Sequence, residues 1–223
     1  MLFQALGHIL PISVAVALSS IPITATILIL LSPNRNRSSI PFLIGWVLGL
    51  AAVVSIFTIF AQALPTIASN HPELAIGIAQ MIVGLALIVF AIISWRRSIN
   101  KPNSESLPRW LRAVSSLGPF SAFGLALALN IRPKALLLGA AAGLSLRGDN
   151  LSVGSQTIAI IVYTVISAST VAVPIIFTLI SPTKMEVRLV AARTWLTRNS
   201  RTVTILIMIF IGVVIFADGL TRL

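Results

Sequence analysis

Six stretches of this chain, 1–34, 38–72, 74–95, 113–131, 150–183 and 202–217, contain no Asp, Glu, Lys or Arg. A helix that crosses the hydrocarbon of a bilayer needs roughly 20 apolar residues, and most of these runs supply them. Composition agrees: 57% of the 223 residues are hydrophobic and the mean hydropathy is +1.02. The expected fold is therefore an all-α integral membrane protein, one membrane domain over residues 1–223, with almost nothing left for a soluble domain.

Six spans are expected near 8–31, 41–63, 74–95, 118–146, 155–181 and 202–220. Pro33, Pro41, Pro65, Pro72, Pro102, Pro108 and Pro182 punctuate the connections between them, as residues that break helices should. The charges orient the spans. Loop 32–40 carries Arg35 and Arg37, loop 96–117 carries Arg96, Arg97, Lys101, Arg109 and Arg112, and loop 182–201 carries Lys184, Arg188, Arg193, Arg198 and Arg201. The alternate connections, 64–73 and 147–154, hold only Arg147, next to Asp149. Cytoplasmic loops are the ones enriched in Lys and Arg, so the first set is predicted to be cytoplasmic and both termini to be extracytoplasmic. A multi-pass membrane protein results. The first residues lack a basic segment ahead of the apolar run, so they read as a retained span and not a cleaved signal.

Segment 183–200, "TKMEVRLVAARTWLTRNS", is too polar to span. Met185, Leu189, Ala192 and Leu196 recur at helical spacing with the cations off that stripe, which predicts an interfacial helix on the inner leaflet with Trp195 near headgroup depth. "PRWLRAV" at 108–114 could do likewise. The competing reading is a pair of basic loops that only set topology.

A shift of 111 residues lays "AVALSSIP" (15–22) on "ALALNIRP" (126–133), with Pro22 on Pro133 and Ser19 on Asn130. Half the chain has the same length, so three spans map onto three. Because three is odd, the halves must be oppositely oriented, an inverted 3+3 repeat with repeat 1 at about 1–95, a basic cytoplasmic linker at 96–117 and repeat 2 at about 118–223. Transporters built in this way hold substrate at the midplane between discontinuous helices. A proline within a helix removes one backbone bond and frees carbonyls, which in lipid need protein or water as partners. The first and fourth helices are thus expected to be broken, with Ser19, Ser20, Pro22 and Thr24 at one break and Asn130, Arg132, Pro133 and Lys134 at the other. A plain kink is the alternative, and is preferred for Pro174.

Arg132 and Lys134 stand in the middle of a span. Each charge at the bilayer centre costs about 2.5–3.5 kcal/mol on insertion scales, and the acids Glu73, Glu105, Asp149, Glu186 and Asp218 all fall in loops or near span ends. A guanidinium can fork onto a phosphate, sulfate or carboxylate, and an ammonium adds a point charge. The helix that starts at Pro133 directs its positive end to the same place. All three favour an anion. Ending the span at residue 131 would leave 135–146 too short to cross back.

Other chemistries find little support. The net charge of +11 lies in short loops between spans, which argues against nucleic acid. The absence of Cys excludes disulfides and thiolate metal sites. His8 and His71, alone and far apart, are poor metal ligands. No Gly-rich phosphate loop and no convincing hydrolytic triad occur, so the chain is expected to be no enzyme and to need no cofactor. "GWVLG" (45–49) and "GAAAG" (139–143) match the small-xxx-small pattern of close helix contacts.

Several stretches are familiar together: "LSSIPITATILILLSP" (18–33), "PFLIGWVLGLAAV" (41–53), "WRRS" (95–98), "PRWLRAVSSLGP" (108–119), "RPKALLLGAAAG" (132–143) and "ASTVAVPI" (168–175). The chain resembles the GAP family, the peptidoglycolipid- or sulfolipid-addressing proteins of actinobacterial envelopes, within the lysine-exporter superfamily. Pro133 and Lys134 match that superfamily's Asn-Pro-Lys element, with Asn130 displaced by Ile131-Arg132, and Ser20 stands where a second proline is expected. The resemblance implies a six-helix inverted-repeat transporter that helps to move a membrane lipid or glycolipid toward the cell surface. Three functions follow as expectations: a flippase-like lipid transporter with an anionic headgroup at the cationic midplane site, an exporter of a small amino-acid-like or anionic solute, and a non-transporting subunit of a lipid-export assembly. Association as a homodimer or with a larger lipid exporter is the expected partnership.

Overall fold

Backbone groups in an apolar solvent must pair within their own segment, and the apolar runs of this chain accordingly form long helices. The computed structural model describes residues 2–63, 72–99, 117–148 and 151–221. Its helices are α1 (Leu2–Ala17), α2 (Ser20–Leu30), α3 (Arg35–Ala63), α4 (Pro72–Ile99), α5 (Pro119–Asn130), α6 (Pro133–Gly148), α7 (Val153–Ile180) and α8 (Pro182–Leu220). No strand occurs among the described residues. Large apolar side chains point outward, including Ile59, Phe60, Ile82 and Ile180 at 63%, 68%, 63% and 72% exposure. Such a surface suits lipid and not water.

Three helical stretches are long and apolar enough to cross a bilayer: Arg35–Gln62, Gly77–Arg96 and Val153–Ile180. Two bent pairs, α1 with α2 and α5 with α6, raise the number to five if each pair is one span. The sixth expected span, 202–220, lies within α8, and the apolar stretch among its described residues is Ile205–Leu220, about 24 Å at 1.5 Å per residue.

Two local expectations change. Residues 35–40 are no loop but the first turns of α3, where Ser38 is buried and its Oγ donates to the Leu117 carbonyl at 2.8 Å. The amphipathic segment 183–200 is no separate interfacial helix; it is the first part of the 39-residue α8. Between Pro182 and Gly212 the sequence has neither Gly nor Pro, so nothing interrupts the helix. The described part of its stripe faces protein: Leu189 is 3% exposed, with Met185 and Ala192 packed on the core, while the side chains of Leu196 and Trp195 lie outside the described ones. Helical spacing identifies an apolar face but not what covers it. "PRWLRAV" lies outside the described residues.

The helices of the two halves interleave. α1 packs on α6, α7 and α8; α5 packs on α3; α6 packs on α3 and α4. The last helices of each half, α4 and α8, form the most extensive contact, and α3 meets α7. Glycines set the closest approaches. A Cβ on Gly45 would lie 2.6 Å from the Phe123 carbonyl of α5, and one on Gly143 would lie 2.7 Å from the Phe57 backbone of α3. Both small-xxx-small motifs thus lie in close contacts. A third set was not read from the sequence: Gly84 against Gly212 and Gly219 against Gly77 bring α4 and α8 together.

Candidate functional site

Pro22 and Pro133 set two breaks by the same chemistry. A proline cannot donate to the carbonyl four residues back, and its ring collides with it. For Pro22 that residue is Leu18. α1 ends at Ala17, Ser19 is extended (φ −69°, ψ 115°), α2 starts at Ser20, and the two pieces are bent by 48°. Pro22 then falls in the first turn of α2, where an N–H has no intrahelical partner to lose. For Pro133 the residue is Leu129. α5 ends at Asn130, α6 starts at Pro133 itself, and the bend is 64°.

The carbonyls freed at each break find partners. The Ala17 carbonyl, at the end of α1, accepts from Thr170 Oγ1 of α7 at 2.6 Å, and one turn earlier Ser167 Oγ reaches the Ser13 carbonyl at 3.4 Å. The Leu129 carbonyl, which Pro133 cannot serve, accepts from Arg132 Nε at 3.0 Å. Arg132 therefore holds its own break together with one N–H of its five, and the remaining four are on the terminal nitrogens.

Arg132 and Lys134 are both half-buried, while Ile131 and Pro133 beside them are exposed, Ile131 at 66%. The break opens at the outward surface of the bundle. Among the described residues no carboxylate pairs with either cation. Both lie at the positive end of α6, whose first turn holds no acid. Two cations on a helix N-terminus repel its dipole, so the arrangement is complementary to an added negative charge.

The other expected site residues are engaged differently. Asn130 is 2% exposed, its Nδ2 donates to the Ala126 carbonyl at 3.0 Å, and its side chain lies against Gly49 of α3. Thr24 Oγ1 bonds the Ser20 carbonyl at 2.8 Å, within α2. Ser19 and Ser20 are half-buried, and Ser19 caps α2 without a side-chain hydrogen bond. Pro22 is buried. No hydrogen bond among the described side chains joins the Ser19–Thr24 group to Arg132 or Lys134. Sequence reasoning missed Ser167 and Thr170. Three residues apart, they share a face of α7, and that polar spacing inside an apolar run was the available signal.

Three helices long and apolar enough to cross a membrane, or five if each bent pair is one span, are consistent with a multi-pass helical membrane protein. The profile of a protein family, described as Sap, sulfolipid-1-addressing protein, matches residues 9–221, and the chain belongs to this family. Its description places the chain among proteins concerned with lipid addressing. No curated protein and no solved structure matches it.

Proposed function

We propose that the protein is a transporter, flippase-like in action, that carries an anionic lipid toward the outer face of the membrane with its headgroup held by Arg132 and Lys134. One observation carries this reading: two half-buried cations without a carboxylate partner among the described residues, at a helix N-terminus whose flanking Ile131 and Pro133 face outward. A lipid headgroup can enter such a site sideways while its chains stay in hydrocarbon. A water-soluble solute would need an enclosed aqueous path instead. Asn130, engaged with Gly49, serves in this reading to seat α5, and Ser19, Ser20, Pro22 and Thr24 shape the opposing break.

The six-span inverted repeat belongs to the same proposal. Exchange of the halves maps the contact of α1 with α7 onto that of α5 with α3, and the contact of α2 with α8 onto that of α6 with α4. The contacts of α4 with α8 and α3 with α7 map onto themselves. That pattern supports a two-fold relation, with both termini extracytoplasmic by the charge distribution.

A second reading, a non-transporting subunit, is favoured by the Arg132–Leu129 bond alone, which gives the guanidinium a structural task. Surface display of the exported lipid, measured beside membrane abundance, separates the two. Arg132→Gln and Lys134→Gln should each impair export while abundance holds, because the lost insertion cost of about 2.5–3.5 kcal/mol per charge offsets lost contacts. Normal export by the double variant would sink the anion site.

A further inference from the structure

Exchange of the halves relates most of the helix contacts to one another, but it breaks down around α1 and α5. α1 packs on α6 and on α8. The equivalents of these two contacts would be α5 on α2 and α5 on α4, and among the described residues α5 packs on neither. The contacts of α1 lie at the end of the bundle that holds both termini, where His8 Nε2 approaches Asp218 Oδ1 of α8 to 3.8 Å. α5 begins at the opposite end, beside the first turns of α3, where the Leu117 carbonyl accepts from Ser38. The bundle is therefore closed over its breaks at one end and open at the other.

The 111-residue shift that lays Pro22 on Pro133 carries the same contrast side chain by side chain. Ile9, Ser13 and Ala17, spaced by four, share one face of α1 and are covered, at 0%, 0% and 6% exposure. Their equivalents on α5 are Phe120, Gly124 and Ala128. Phe120 is 91% exposed, Gly124 and Ala128 are exposed as well, and a Cβ on Gly124 would meet nothing within 4 Å. On another face the halves agree, since Ala15 and Ala126 are both fully buried. The difference thus belongs to one face of α5. A glycine inside a helix weakens it. Gly45, Gly143 and Gly212 each lie against a neighbouring helix that needs the space, whereas Gly124 stands in mid-helix with no such neighbour.

We propose that this structure is the loading state of a two-state cycle, and that in the other state the Phe120–Gly124–Ala128 face of α5 closes on α2 and α4 while α1 leaves α6 and α8. The inference rests on the transporter reading and on its inverted repeat. Two oppositely oriented halves of one fold can each take up the other's packing, and alternating access in such proteins is a rocking of one group of helices against another. α1 keeps α7 and α5 keeps α3, because those contacts are equivalent and both are already present. Arg132 and Lys134 stand at the junction of α5 and α6, so the open side leads to them along the exposed face of α5. By the charge distribution that side is cytoplasmic. An anionic lipid headgroup then enters from the inner leaflet past Phe120, and the exchange of contacts turns the break toward the outer leaflet.

Gly124 distinguishes this cycle from a bundle that is permanently one-sided. If α5 never closes, a larger residue at Gly124 has open space around it and strengthens the helix. If α5 closes, the same residue is forced into a packed contact with α2 or α4. Ser13, its covered equivalent on α1, provides the converse: a larger residue there is forced into a contact that this structure already makes.

The chain has no Cys, so two pairs of spin labels report the two ends. Leu10→Cys on α1 with Val213→Cys on α8 reports the end with the termini, and Ser121→Cys on α5 with Ile93→Cys on α4 reports the other. All four positions are exposed, and Leu10 and Ser121 are equivalents that lie off the closing faces. Distances are measured by electron paramagnetic resonance on the full chain in lipid nanodiscs. Ser13→Phe should lengthen the first distance and shorten the second together. Gly124→Leu should keep normal abundance and lower the short-distance population of the second pair about five-fold or more, the scale of an overpacked contact. Added to Ser13→Phe, it should prevent the shortening. A first pair that lengthens while the second stays long would overturn the inference. So would a second pair with no short population in the unsubstituted background, or one that Gly124→Leu leaves unchanged, and both of these stand even if Ser13→Phe fails to fold. Neither variant alters Arg132 or Lys134: a static second pair sinks the cycle alone, and normal export by the double Gln variant sinks the anion site alone.

Discussion

Gly49 and Asn130 offer the sharpest test of how the second break is held. An added Cβ at Gly49 would overlap the Asn130 amide directly, with Asn130 Cγ only 3.0 Å away. Asn130 cannot retreat freely, because its Nδ2 is bonded to Ala126 and it is the last residue of α5 before the bend. Gly49→Ala should therefore act as overpacking, which costs about 1–3 kcal/mol. Asn130→Ala alone removes one buried hydrogen bond, worth about 0.5–1.5 kcal/mol, and leaves no orphan, since the Ala126 carbonyl keeps its helical partner. In the double variant the new methyl enters the space the amide has left. The two costs should then fall short of their sum by at least about 1 kcal/mol, as contacting pairs do. Thermal unfolding of the four proteins in one detergent, followed by helical circular dichroism, measures the cycle. Additivity within about 0.5 kcal/mol would refute the contact and, with it, the role of Asn130 as a seat for α5.

Thr170→Val should leave the Ala17 carbonyl unserved and lower stability by about 1 kcal/mol, within the range for hydrogen bonds between membrane helices, whereas Thr170→Ser should retain most of it; unfolding midpoints check both. Gly84→Val should separate α4 from α8, since even a Cβ there would lie 2.7 Å from the Gly212 carbonyl, and loss of folded protein from the membrane fraction is the expected readout. Asn36→Cys and Val153→Cys, both exposed in the structure, test orientation: an impermeant maleimide applied to cells should label Val153→Cys and spare Asn36→Cys, and the reverse would invert the topology. Arg132→Lys should recover only part of the export lost in Arg132→Gln, because an ammonium gives up both the two-pronged geometry and the Nε contact with Leu129.

The breaks were legible because proline chemistry is local. Pro22 and Pro133 disturb the residue four positions back whatever surrounds them, and the chain bends where that rule says. The glycine motifs at 45–49 and 139–143 were legible for a related reason, that close approach requires a missing side chain. What lay beyond reach was anything decided by partners distant in sequence. The contact of Asn130 with Gly49 is of this kind, since 81 residues separate the two. The stripe at Met185, Leu189 and Ala192 read as lipid-facing because spacing does not distinguish a lipid from a neighbouring helix. Ser38 read as a loop residue since Arg35 and Arg37 look like loop charges, yet helical backbone tolerates them at its start.

The interleaved contacts also bear on how the protein is made. α1 emerges from the ribosome first, yet the helices that cover it, α6, α7 and α8, belong to the second half. Until α7 has been inserted, the Ala17 carbonyl has no Thr170 to accept from. A nascent first half therefore holds a bent helix with an unserved carbonyl, the same orphan group whose cost in Thr170→Val is about 1 kcal/mol. Chains truncated after α4 should be handed to membrane quality control, and early α1 should linger beside the insertion machinery until synthesis is nearly complete.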